Sequence, residues 1–173
     1  MKMRKNHLLT LFMCLVASMS YAQSMSVDEI IGLRKKNLSV FETYLKSKGW
    51  TATGTGMLSI RDTEDPNVTK NKVFYNNLDT YIEHSISRNS KSNRITIQVS
   101  DKDIYSKYAA RMLALKYRLI KSELVNGDIV KVYQGKNDLI KLTTLIKREE
   151  NSYISKTYYN FLILSTEDYV LNY

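Results

Sequence analysis

The chain has 173 residues, 43% of them hydrophobic and 25% charged, with 26 Lys and Arg against 17 Asp and Glu. One proline and six glycines exclude collagen-like and low-complexity disordered classes, because this apolar content can build a core. Beyond the N-terminus no apolar run approaches the roughly 20 residues of a membrane-spanning helix.

In chain order, the first expected feature is an export signal over residues 1–22. Lys2, Arg4 and Lys5 form a basic start, and Leu8 to Ala17 supply a short apolar stretch. Ser20-Tyr21-Ala22 places small residues at the positions a signal peptidase reads, so cleavage is expected between Ala22 and Gln23. Cleavage would leave 23 basic against 17 acidic residues, a net charge of +6. Cys14 and His7 would leave with the leader, so the mature chain has no thiol and one histidine, His84. Residues 23–173 are expected to form one domain, exported by a bacterium and periplasmic or secreted, with a core large enough to dispense with disulfides.

The next element is a helix predicted from about Val27 to Lys48. Ser26 and Glu29 have capping-box spacing, Met25 and Ile30 that of a hydrophobic staple. Val27, Ile31, Leu38, Phe41 and Leu45 make one apolar stripe, and Gly49-Trp50 supplies a glycine-terminated end. A second helix is predicted to start after Ser100 and run to about Lys116, burying Ile104, Tyr108, Met112, Leu115 and Leu119.

Behind each helix the apolar period changes to two. Strands are predicted at Trp50–Leu58, Lys72–Asn77, Thr80–Ser87 and Arg94–Val99, then at Arg118–Leu124, Ile129–Gln134, Leu139–Lys147 and Tyr153–Leu164. Asn126-Gly127 marks a tight hairpin turn. The expected fold is α+β: two tandem helix-plus-four-strand (αββββ) repeats, about 26–99 and 100–173, with the helices on one face of an antiparallel sheet. The helix ends Leu45-Lys46-Ser47-Lys48-Gly49-Trp50 and Leu113-Ala114-Leu115-Lys116-Tyr117 echo each other. This order of elements resembles the tandem-repeat β-lactamase inhibitory proteins of bacteria, over most of the mature chain and without a diagnostic motif. It is also similar to uncharacterised small exported bacterial proteins.

Catalytic constellations are scarce. His84 lies between Ile82 and Ile86 on an apolar strand face and reads as a core residue. With no cysteine or second histidine beside it in the mature chain, Cys–His, Ser–His–Asp and His-rich zinc sites have no basis. Asp62, Glu64 and Asp65 cluster before Pro66 but lack the glycine and distal glutamate of a calcium loop. Gly54-Thr55-Gly56 lacks the rest of a phosphate loop. Asp101 and Asp103 read as helix capping, Glu149-Glu150 as turn charges and Glu167-Asp168 as tail charges. Arg34-Lys35-Lys36, the densest basic run, is placed on the polar side of the first helix. No catalytic residue, cofactor or metal is assigned, and the chain is expected not to be an enzyme.

The mature chain has 12 Tyr and 3 Phe. If Ile82, Ile95, Ile97, Val130, Val132, Leu142 and Ile146 face the helices, alternation sends Tyr81, Glu83, Thr96, Gln98, Lys131, Tyr133 and Lys141 to the other side. The binding residues expected there are Tyr81, Gln98, Lys131, Tyr133 and Lys141. The expected function is an exported, non-enzymatic binding or interaction module, of inhibitor or immunity type, whose partner is a protein or envelope polysaccharide rather than nucleic acid. The alternatives are a secreted hydrolase using two of Asp62, Glu64, Asp65, Asp79 and Glu83, or an outer-membrane-associated structural protein.

Overall fold

The computed structural model describes residues 25–52, 67–75, 80–148 and 154–173. Within them the protein is α+β, with helices α1 (Val27–Arg34), α2 (Leu38–Ser47), α3 (Lys102–Ala114) and α4 (Thr166–Asn172). The strands are β1 (Thr51–Ala52), β2 (Val68–Tyr75), β3 (Tyr81–Ser87), β4 (Asn93–Val99), β5 (Arg118–Val125), β6 (Asp128–Gln134), β7 (Asp138–Arg148) and β8 (Ser155–Ser165). Most of the segment expected as the first strand lies outside the described residues.

Local chemistry accounts for the helix ends. The Ser26–Glu29 capping box closes α1, with the Ser26 backbone N–H donating to Glu29 Oε2 at 2.7 Å. The expected single helix is interrupted, because the Asn37 side chain accepts from the Val40 N–H at 3.0 Å and starts α2 afresh. At the end of α2, the Trp50 N–H donates to the Leu45 carbonyl and the Gly49 N–H to that of Lys46, both at 3.0 Å. Gly49, at φ 82°, makes this left-handed turn without a Cβ penalty. The end of α3 repeats the pattern with Lys116 at φ 63°: the Tyr117 N–H donates to Met112 and the Lys116 N–H to Leu113. The cap of α3 is Asp101, accepting from the N–H groups of Asp103 and Ile104 at 2.7 and 2.9 Å.

All eight strands join one sheet in the order β1-β2-β3-β4-β8-β7-β6-β5, every neighbouring pair antiparallel. Two four-stranded runs therefore meet at β4 and β8, and α3 carries the chain from the centre to the outer edge. Asn126 (φ 51°) and Gly127 (φ 87°) turn β5 into β6, both left-handed as a two-residue hairpin requires.

The main core lies between α1–α3 and one sheet face, and includes Ile30, Phe41, Leu45, Trp50, Ile82, Ile95, Ile97, Ile140, Phe161 and Ile163. A second, smaller core lies on the opposite face, where Val132, Leu139 and Leu164 pack with Leu162 and Tyr169 of α4. This corrects the expectation that helices cover one face only: α4 folds back over the other side. Its cap was legible, since Ser165 accepts from the Asp168 N–H at 3.1 Å across the usual three-residue spacing. Among the described residues, no helix is long and apolar enough to cross a membrane.

Candidate functional site

His84 occupies the helix-covered face, 2% exposed, its ring centroid 5.1 Å from that of Phe41. Burial pushes its pKa below the ordinary histidine value, while its own backbone contact and the charge of Glu42 work the other way. Its Nε2 has no hydrogen-bond partner. These surroundings favour a neutral core imidazole.

Of the basic run Arg34-Lys35-Lys36, only Arg34 is drawn inward; Lys35 and Lys36 are exposed. The Arg34 guanidinium donates to the Asp138 carboxylate in a buried ion pair, and Lys35 Nζ lies 4.0 Å from the same carboxylate. Arg34 is thus a structural cation anchoring α1 to the start of β7, not part of a solvated polar face.

The five expected binding residues divide between the two faces. Tyr81 pairs in register with Gln98, and Gln98 with Asn160, in a row whose neighbours Ile82, Ile97 and Phe161 point into the main core. Tyr81 and Gln98 therefore lie on the face away from α1–α3. Lys141, opposite Leu162, shares that face. Lys131 and Tyr133 do not, because they stand opposite Leu142 and Ile140 of the main core. Tyr133 packs against that core, and burial raises its pKa, helped by neighbouring Tyr105. The correction comes from β6, whose Val130 and Val132 point to the α4 side. A strand displaced by one step exchanges all its side chains between faces.

On the α4 side the sheet carries two distinct regions. Beneath α4, Arg94 and Asp168 form a buried ion pair with Nε to Oδ2 at 2.6 Å and Nη2 to Oδ1 at 2.9 Å. Desolvation opposes the Asp168 charge, but hydrogen bonds from Arg94, Ser87 and Ser90 and the Arg94 charge outweigh it and lower its pKa. Asn172 adds an Nδ2 donor to Asp168 Oδ1 at 2.7 Å. Tyr173 completes the cover, with Lys141 Nζ 4.2 Å from its ring centroid. Asp168 is thus a buried structural group rather than a tail charge.

Beyond α4, the row Tyr81–Gln98–Asn160–Thr143 runs across β3, β4, β8 and β7. Tyr81 and Gln98 are buried, Asn160 and Thr143 half-buried. The side-chain carbonyl oxygens Gln98 Oε1 and Asn160 Oδ1 are both buried without a hydrogen-bond partner. Two adjacent unsatisfied acceptors at the middle of a sheet are costly unless a donor meets them. Asn160 was missed from the sequence because it sits in the apolar-aromatic run of β8; its position opposite Gln98 required the register.

Of the carboxylates a hydrolase would use, Glu83 alone is among the described residues; Asp62, Glu64, Asp65 and Asp79 lie outside them, as does Gly54-Thr55-Gly56. Among the described residues no group of three His, Cys, Asp or Glu is placed to hold a metal ion. No family model, curated protein or solved structure matches the chain.

Proposed function

We propose that this chain is an exported, non-enzymatic binding module, of inhibitor or immunity type, built from two tandem αββββ units. Its partner, a protein or envelope polysaccharide, engages the sheet face away from α1–α3, beside α4. The observation carrying this reading is the pair of unpartnered carbonyl oxygens on Gln98 and Asn160. Both oxygens are buried, so a partner reaches them by displacing neighbouring side chains; a peptide amide or sugar hydroxyl then supplies the missing donors, while Tyr81 and Thr143 flank the pair with further polar groups. Lys141, at the border with α4, contributes positive charge for an anionic partner. Support for the repeat comes from the matching helix ends at Gly49-Trp50 and Lys116-Tyr117 and from the meeting of two four-stranded runs at β4 and β8.

The test is an isotope-labelled titration that follows the side-chain amides of Gln98 and Asn160 as envelope polysaccharide fragments or a captured protein are added. Binding should move both resonances, and the Gln98→Leu/Asn160→Leu variant should lose affinity without losing its fold. Equal affinity of that variant and the parent would reject the site.

A further inference from the structure

Strand β5 ends the sheet, and all eight of its residues are exposed. It is flanked by uncovered apolar side chains: Leu119, Ile120 and Leu124 on the strand itself and Ile129 opposite Leu124 on β6. A long edge strand with free backbone groups and apolar side chains is a template for another strand. Native edges are usually protected by proline, shortness, bulges or charged side chains; β5 has neither proline nor shortness, and its central charges, Lys121 and Glu123, are opposite in sign. Its bulge between Leu119 and Lys121 interrupts the ladder but leaves Ile120 to Val125 in regular alternation.

We infer that β5 is the interface of a homodimer, in which two copies pair their β5 strands antiparallel about a two-fold axis through Ser122. The side chains of the strand carry this assignment. Lys121, Glu123 and Val125 lie on the α4 side, opposite Val132, Val130 and Asp128; Ile120, Ser122 and Leu124 alternate to the helix side. A two-fold axis perpendicular to the sheet sets only residues of the same face opposite one another. Centred on Ser122, it places Lys121 against Glu123 of the second copy, twice by symmetry, and Ile120 against Leu124, also twice. Centring on Lys121 would oppose two lysines, and centring on Glu123 two glutamates, both of which are unfavourable. The Ser122 register alone among these three matches charge with charge and apolar with apolar. Lys121 Nζ already lies 3.0 Å from Glu123 Oε1 within the strand, so the two copies would form an alternating four-charge cluster. A continuous sheet would then run through both protomers.

Sedimentation equilibrium of the purified protein over a concentration series tests this. The parent should associate to a dimer. The Lys121→Glu and Glu123→Lys chains, each setting like charges opposite, should dimerise at least about tenfold more weakly. An equimolar mixture of the two variants should recover the parent's affinity, because each supplies the charge the other needs. Unchanged melting curves would show that the exposed substitutions leave the fold intact. A parent that stays monomeric, variants that dimerise like the parent, or a mixture no tighter than its components would each overturn the interface.

Discussion

Arg94 of β4 and Asp168 of α4 meet through two short hydrogen bonds, 2.6 and 2.9 Å, with their side chains 1% and 0% exposed. They lie 74 residues apart in the chain, and their pairing holds the C-terminal helix on the sheet. Each charge is tolerable there only because the other is present.

Removing one member should therefore cost more than removing both. Asp168→Leu should lower unfolding stability by about 3–5 kcal/mol, since it strands a buried guanidinium. Arg94→Leu/Asp168→Leu should cost clearly less than the sum of the two single changes. Urea denaturation of the four proteins measures the coupling; additive losses would contradict it.

Acid should unfold the protein through its depressed carboxylates. Burial opposes the Glu29 charge, but hydrogen bonds from Tyr44, Ser26 and Lys48 lower its pKa from 4.5 to about 2. Asp168 is lowered as well. A carboxylate depressed in the folded state stabilises fully above its unfolded pKa and loses that contribution as pH falls through the folded value. Melting temperatures should thus fall between pH 4.5 and 2, and Glu29→Gln should flatten part of the decline. A profile that Glu29→Gln leaves unchanged would exclude this contribution.

His84 should affect stability in the opposite chemical sense, as a base kept neutral. Its folded pKa is below the ordinary 6.5 because burial disfavours the cation. The unfolded chain takes up the proton first, so stability should be fully present above pH 6.5 and decline below it. Replacing His84 with Leu should remove that portion of the acid response. Replacing it with Ala should cost about 1–3 kcal/mol at neutral pH. Thermal melts of both variants from pH 8 to 5 provide the check.

The export signal proposed for residues 1–22 carries a simple chemical prediction. Protein recovered from the producing cell should begin at Gln23 and remain in solution without detergent, because the apolar Leu8 to Ala17 stretch leaves with the leader. Intact-mass measurement decides it; retention of Met1 would refute cleavage.

The sequence alone determined the features that depend on near neighbours. Ser26 with Glu29, Gly49 with Trp50, and Asn126 with Gly127 specify helix starts, helix ends and turns through bonds and dihedrals spanning a few residues. Period-two alternation likewise revealed the described strands, apart from shifts at their ends. Tertiary structure decided which side of the sheet each alternation served. In β6 it turned Val130 and Val132 towards α4 and set Lys131 and Tyr133 on the other side, because alternation groups residues by face without saying what covers that face. It also paired Arg34 with Asp138, Arg94 with Asp168, and Gln98 with Asn160. Those partners lie far apart in the chain: strand register sets Gln98 beside Asn160, whereas the docking of α1 and α4 on the sheet brings Arg34 to Asp138 and Asp168 to Arg94.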